Sequence, residues 1–132
     1  MAPSFLEVGL EAGSRWQELT AGERPWVRIG TALCGEAAGA DAVVAALKSA
    51  LESQGVPAQV SRVGCLGLCF AEPLLDVLLP GGHRVFYGNV DPENVAEIVS
   101  SHIAGGTPVT AMALGYLAQE GSDAPLPVGI PD

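Results

Sequence analysis

Cys65 and Cys69 stand four residues apart in Gly64-Cys-Leu-Gly-Leu-Cys69, a glycine-rich turn that directly follows a β-prone run. Such a turn can point both sulfurs into one site while backbone N–H groups swing toward them, which stabilises thiolates and suits a cluster. Two structural cysteines buried in a tight turn would show the same spacing. The third thiol, Cys34, lies in the loop that leaves the first predicted strand, just as Cys65 follows the second. If those strands are parallel, both loops emerge at one edge of the sheet and the three thiols converge; otherwise Cys34 is incidental. A redox disulfide between Cys65 and Cys69 ranks last, because the three-residue spacer departs from the C-x-x-C of thiol-exchange sites.

The elements that must position these residues are legible in outline. A strand is predicted over Pro25 to Ile29, then a loop of small residues from Gly30 to Gly39. Val43, Val44, Leu47 and Leu51 fall on one face of a helix from Ala40 to Gln54, and Gly55 and Pro57 mark its end. A second strand, Ala58 to Val63, completes a β-α-β unit whose right-handed crossover makes the two strands parallel. Leu74 to Leu79 and Arg84 to Tyr87 read as a hairpin across Pro80-Gly-Gly-His83. Asp91-Pro-Glu93 opens a last helix whose apolar face is Val95, Ile98, Val99 and Ile103, ended by Gly105-Gly106. The predicted order is β-α-β-β-β-α, an α/β fold with a mixed sheet over residues 26–117. Residues 1–25 form an extension in which Leu6, Leu10, Trp16 and Leu19 suggest a helical stripe weakened by Gly9 and Gly13. Residues 118–132, rich in Gly, Ser, Asp and Pro, read as a linker or an unpacked tail.

Composition narrows the classes. With 48% apolar and 16% charged residues, the 132-residue chain has enough core-forming material to fold as one domain. Fifteen acidic against six basic side chains give a net charge of −9, which repels phosphate backbones and argues against nucleic acid as a partner. No apolar run approaches membrane-spanning length and no amino-terminal signal pattern is visible, so no membrane association and a cytoplasmic location are expected. Three cysteines are too few, and odd in number, for a secreted disulfide framework; reduced thiols fit better.

Together Gly64-Cys-Leu-Gly-Leu-Cys69, Ala71-Glu-Pro-Leu-Leu75, Tyr87-Gly-Asn-Val-Asp-Pro-Glu93, Ile103-Ala-Gly-Gly-Thr-Pro108 and the upstream Gly30-Thr-Ala-Leu-Cys-Gly-Glu-Ala-Ala-Gly-Ala40 resemble the thioredoxin-like [2Fe-2S] ferredoxins. This family includes domains fused ahead of the flavin-binding, NADH-oxidising subunits of complex I, NAD-linked hydrogenases and formate dehydrogenases. The resemblance runs from about Trp26 to Pro108. It implies a thioredoxin-like sheet with flanking helices, and four cysteines from two loops holding the cluster. Here the position of the first ligand corresponds to Ile29, so the resemblance carries over Cys34, Cys65 and Cys69 as cofactor and metal ligands of a [2Fe-2S] cluster. Glu36, Asp41 and His83 are the side chains that could supply a fourth.

The function so implied is an electron-transfer or accessory domain of an NADH-linked oxidoreductase, carrying a [2Fe-2S] site or its degenerate remnant. Its partner would be a flavin- and NADH-binding subunit or domain, with no catalysis by this chain alone. The alternative is a cluster-free docking module for subunit assembly. Gly30, Gly35 and Gly39 match neither dinucleotide- nor P-loop spacing. His102 reads as a cation favourable to a helix C-terminus, and Trp16 and Trp26 as packing residues.

Overall fold

In β1 (Trp26–Gly30), Val27 and Ile29 face one side of the sheet and Trp26 and Arg28 the other, and all but Arg28 are buried. A strand covered on both faces belongs inside a sheet. The computed structural model, which describes residues 1–132, places β1 there, in the order β2-β1-β3-β4-β5. Strand β1 is parallel to β2 (Gln59–Val63) and antiparallel to β3 (Leu75–Leu78). Strands β3 and β4 (Arg84–Tyr87) form the expected hairpin, and β5 (Ala113–Leu117) adds to β4 antiparallel.

The crossover from β1 to β2 contains a short helix, α2 (Leu33–Ala37), where small residues suggest a loop, and then the predicted helix α3 (Ala40–Gln54). Gly55 takes φ +64° at the end of α3, and its N–H and that of Val56 cover the last carbonyls of the helix. Val43, Val44, Leu47 and Leu51 of α3 join Val27, Ile29, Val77 and Val85 in one apolar cluster. The last helix, α4, starts at Val95–Glu97 and continues as wider π-type turns over Ile98–Ala104. It adds Val95, Ile98, Val99 and Ile103 to the same cluster. Each such side chain contributes about 1.5–3 kcal/mol relative to exposure, so this face holds the fold together.

The opposite face is organised by charge. Asp76, 3% exposed, accepts from Arg28 Nε at 3.0 Å on each oxygen and also bonds Arg84 Nη1. Both guanidinium groups lie over the Trp26 ring, at 5.3 and 4.6 Å from its centroid. The single carboxylate therefore answers two cations, with the ring face supplying the remainder of the compensation.

At the amino terminus the weakly signalled helix forms as α1 (Phe5–Ala21), started by a reciprocal cap in which Glu7 N–H donates to Ser4 Oγ and Ser4 N–H to Glu7 Oε2. None of its residues is buried, and Trp16 meets Trp26 edge-on at 6.0 Å between centroids. Strand β5 goes beyond the predicted order. The segment 118–132 contains no helix or strand, yet it does not stand free. Ile130 is buried in the core, Tyr116 N–H donates to Pro131 O at 2.8 Å, and Gln119 N–H donates to His83 Nδ1 at 3.1 Å.

His102 corrects its sequence reading as a helix-end cation. The ring is 2% exposed, with Nδ1 at 2.8 Å from the Tyr87 hydroxyl, which in turn accepts from Val109 N–H. Burial lowers the imidazole pKa from its ordinary 6.5 to about 4, so it stays neutral at neutral pH.

Two outcomes follow from this face-by-face division. Asp76→Ala leaves two guanidinium groups, one of them buried, without their counter-ion, and should cost about 3–5 kcal/mol of stability by urea unfolding. Because the folded state disfavours charged His102, the unfolded chain takes up that proton first. Stability should therefore fall as pH drops from about 6.5 to about 4, by roughly 3 kcal/mol. In His102→Gln the urea midpoint should vary less with pH across that window.

Candidate functional site

Because β1 and β2 are parallel, the loops that leave their C-terminal ends emerge together. Two backbone bonds fix the junction: Thr31 N–H donates to Val63 O and Gly30 N–H to Leu74 O, each at 3.0 Å. The first ties the Cys34 loop to the strand that leads into Cys65. The second ties it to the segment just after Cys69. Cys34 then sits in the first turn of α2, Cys65 two residues beyond β2, and Cys69 at the start of a single 3-10 turn, Cys69–Ala71.

The sulfurs of Cys65 and Cys69 are 3.7 Å apart, and Gly67 N–H donates to Cys65 Sγ at 3.1 Å. That donation needs the chain to reverse at Gly67, which takes φ +83°. Cys34 acts on Cys69 from the other loop: its proximity is the largest of the influences that hold the Cys69 thiol above its ordinary pKa. The bond from Cys65 works the other way, while the charges of Cys34 and Glu72 add to the rise. All three cysteines are free thiols; Cys34 is half-buried and the other two are exposed. The parallel strand pair thus puts the loops that carry Cys34, Cys65 and Cys69 at one edge of the sheet. No group of three or more His, Cys, Asp and Glu side chains is set for a single metal ion.

Under these loops lies a residue that sequence reasoning passed over. Glu72 is 7% exposed, its Oε2 accepts from Leu74 N–H at 2.8 Å, and its Oε1 has no hydrogen-bond partner. An unpaired buried polar atom costs about 1–3 kcal/mol, and more when charged. The space above the carboxylate exists because two glycines line it. A Cβ on Gly30 would stand 3.1 Å from Oε1, and one on Gly35 would stand 3.3 Å from Oε2 and 2.3 Å from Gly30 O. Any side chain at Gly35 would collide with backbone. Ala71-Glu-Pro-Leu74 carries no periodicity that marks a buried carboxylate; its one signal is a charge set immediately before an apolar strand.

The side chains considered as a fourth ligand lie elsewhere. Asp41 is paired with Arg62 at 2.6 Å on the surface, and Glu36 is exposed on α2. His83 lies in the β3–β4 hairpin at the opposite end of the sheet, since Leu78 pairs with Trp26 and Leu75 with Ile29. There its ring bonds Ala124 O and Gln119 N. Ile29 is wholly buried in the apolar core.

Around the cysteines the surface is apolar. Leu33 and Phe70 are each 82% exposed, and Leu66 and Leu68 line a shallow depression together with Phe86, Leu114 and Tyr116. The arrangement offers three soft, anionic-when-ionised sulfur donors at the surface, a backbone N–H directed at one of them, and a water-shedding border. Thiolate sulfur is the donor type that iron–sulfur groups take.

No family model matches the chain. It is 29% identical over 84 residues to the NADP-reducing hydrogenase subunit HndB of Solidesulfovibrio fructosivorans, covering 63% of this chain and 67% of that protein. It is 35% identical over 74 residues to a 2Fe-2S ferredoxin of Clostridium pasteurianum, covering 54% of this chain and 70% of that one. Among solved structures, the thioredoxin-like [2Fe-2S] ferredoxin from Aquifex aeolicus superposes with a TM-score of 0.61 and 27% identity, over 75% of this chain and 97% of that one.

In the cluster-free reduced chain, removing Cys34 should release the largest restraint on Cys69. Cys34→Ala is expected to lower the Cys69 pKa, so that iodoacetamide modifies Cys69 faster at about pH 8. Peptide mass spectrometry of timed alkylation reads the rate, and an unchanged Cys69 rate would contradict the coupling.

Proposed function

Because the chain belongs to the thioredoxin-like [2Fe-2S] ferredoxins, we propose that it is an electron-transfer domain of an NAD(P)-linked oxidoreductase, with Cys34, Cys65 and Cys69 holding a [2Fe-2S] cluster. The observation that carries this reading is that two distant loops bearing three free thiols leave the sheet at one edge. When bound, such a cluster supplies a one-electron carrier whose potential depends on hydrogen bonds to its sulfurs and on exposure.

The residues of the chain have defined tasks in this scheme. Gly67 N–H stabilises negative charge on Cys65 Sγ. Cys65 and Cys69 at the surface bring the site within short reach of a docked protein. Leu33, Leu66, Leu68 and Phe70 form the border that excludes water once a partner covers them. The net charge of −9 favours a partner with a basic docking face.

No nucleotide-binding motif occurs in the chain, so in this proposal a partner subunit supplies the flavin and nicotinamide chemistry, as the kinship to a hydrogenase subunit suggests. Thiols that remain free suit a reducing compartment, here the cytoplasm.

The decisive measurement is anaerobic reconstitution with iron and sulfide. About two iron and two acid-labile sulfide per chain, with visible charge-transfer absorption, are expected, and Cys65→Ser should lose most of both. Protein that takes up neither iron nor sulfide would reduce the chain to a docking module.

A further inference from the structure

A [2Fe-2S] cluster takes four protein ligands, and the chain provides three thiols. We infer that the Glu72 carboxylate, through Oε1, is the fourth ligand of the iron–sulfur site formed with Cys34, Cys65 and Cys69. The inference rests on the cluster reading above.

Three observations carry it. Glu72 is 93% withdrawn from solvent, and Oε1 alone among the chain's buried side-chain nitrogen and oxygen atoms has no partner. An ionisable oxygen kept buried without a donor is explained if a cation satisfies it. Glu72 also lies between the two cysteine-bearing segments. It follows Cys69 by three residues, and its carboxylate packs against Gly30 and Gly35, the latter next to Cys34. Finally, the other carboxylates and the imidazole considered for the role are exposed, ion-paired or at the far end of the sheet.

Oε2 is already held by Leu74 N–H, which fixes the carboxyl group and leaves Oε1 as the free donor atom. A carboxylate oxygen is a competent ligand for ferric iron, although harder than sulfur, so the two iron sites would differ. The pair of glycines has a reason in this scheme: a Cβ at either position would crowd the carboxylate.

A merely structural Glu72 would be replaced well by glutamine, which has the same shape and can still accept from Leu74 N–H. A ligand would not. Wild type and Glu72→Gln are to be reconstituted anaerobically side by side, with circular dichroism to confirm that the variant is folded. Iron and sulfide per chain should fall roughly tenfold or more in the variant. Equal cluster content with an unchanged electron paramagnetic resonance spectrum after reduction would overturn the assignment of Glu72 while leaving the cluster reading intact.

Wild-type protein enriched in 57Fe gives a second reading that needs no variant. The oxidised cluster should show two inequivalent ferric sites by Mössbauer spectroscopy, and a single all-sulfur environment would exclude the carboxylate. Wild type that binds no cluster at all would overturn the underlying reading and this inference together.

Discussion

Thr31 N–H to Val63 O and Gly30 N–H to Leu74 O are ordinary backbone hydrogen bonds, yet the site depends on them. They join the ends of three strands at the point where the chain leaves regular structure, so the loops beyond cannot drift apart. Parallel pairing of β1 with β2 chooses the edge of the sheet, and antiparallel pairing with β3 makes that strand start from the same edge, so the loop holding Cys65 and Cys69 begins and ends there. The hairpin and His83 are consequently sent to the other end. Chemistry and turn geometry are thus separated by strand direction alone.

The same sheet is stabilised differently on its two faces. Toward α3 and α4 the burial is apolar and non-directional. Toward the other side, Asp76, Arg28, Arg84 and Trp26 form a directional array in which each group has a definite orientation. Apolar packing gives most of the free energy, whereas the charged array fixes the register of β1, β3 and β4 against slippage, since a one-residue shift would bury a cation without its carboxylate.

Much of this could be read from the sequence because the signals were local. The apolar spacing of Val43, Val44, Leu47 and Leu51 marks α3, and Gly55 marks its stop. The β-α-β order then predicts the meeting of Cys34 with Cys65 and Cys69. What escaped was non-local. Ala113-Leu-Gly-Tyr-Leu117 has little strand character and becomes β5 because β4 offers an open edge. His102 looks like a helix-end cation until the Tyr87 hydroxyl and the surrounding core show it to be neutral and buried. Glu72 is invisible for a related reason, since its burial is created by Gly30 and Gly35, residues about forty positions away in the chain.

The folding back of residues 118–132 alters how this molecule meets its own copies. An outermost strand presents unpaired N–H and C=O groups that can template intermolecular sheet growth. Strand β5 would be such a strand, but its Tyr116 N–H is taken by Pro131 O, and Ile130 anchors the covering segment in the core. Self-association by strand addition is thereby obstructed on that side. The remaining open border is β2, five residues long and bearing the exposed, charged Arg62, a poor seed for aggregation.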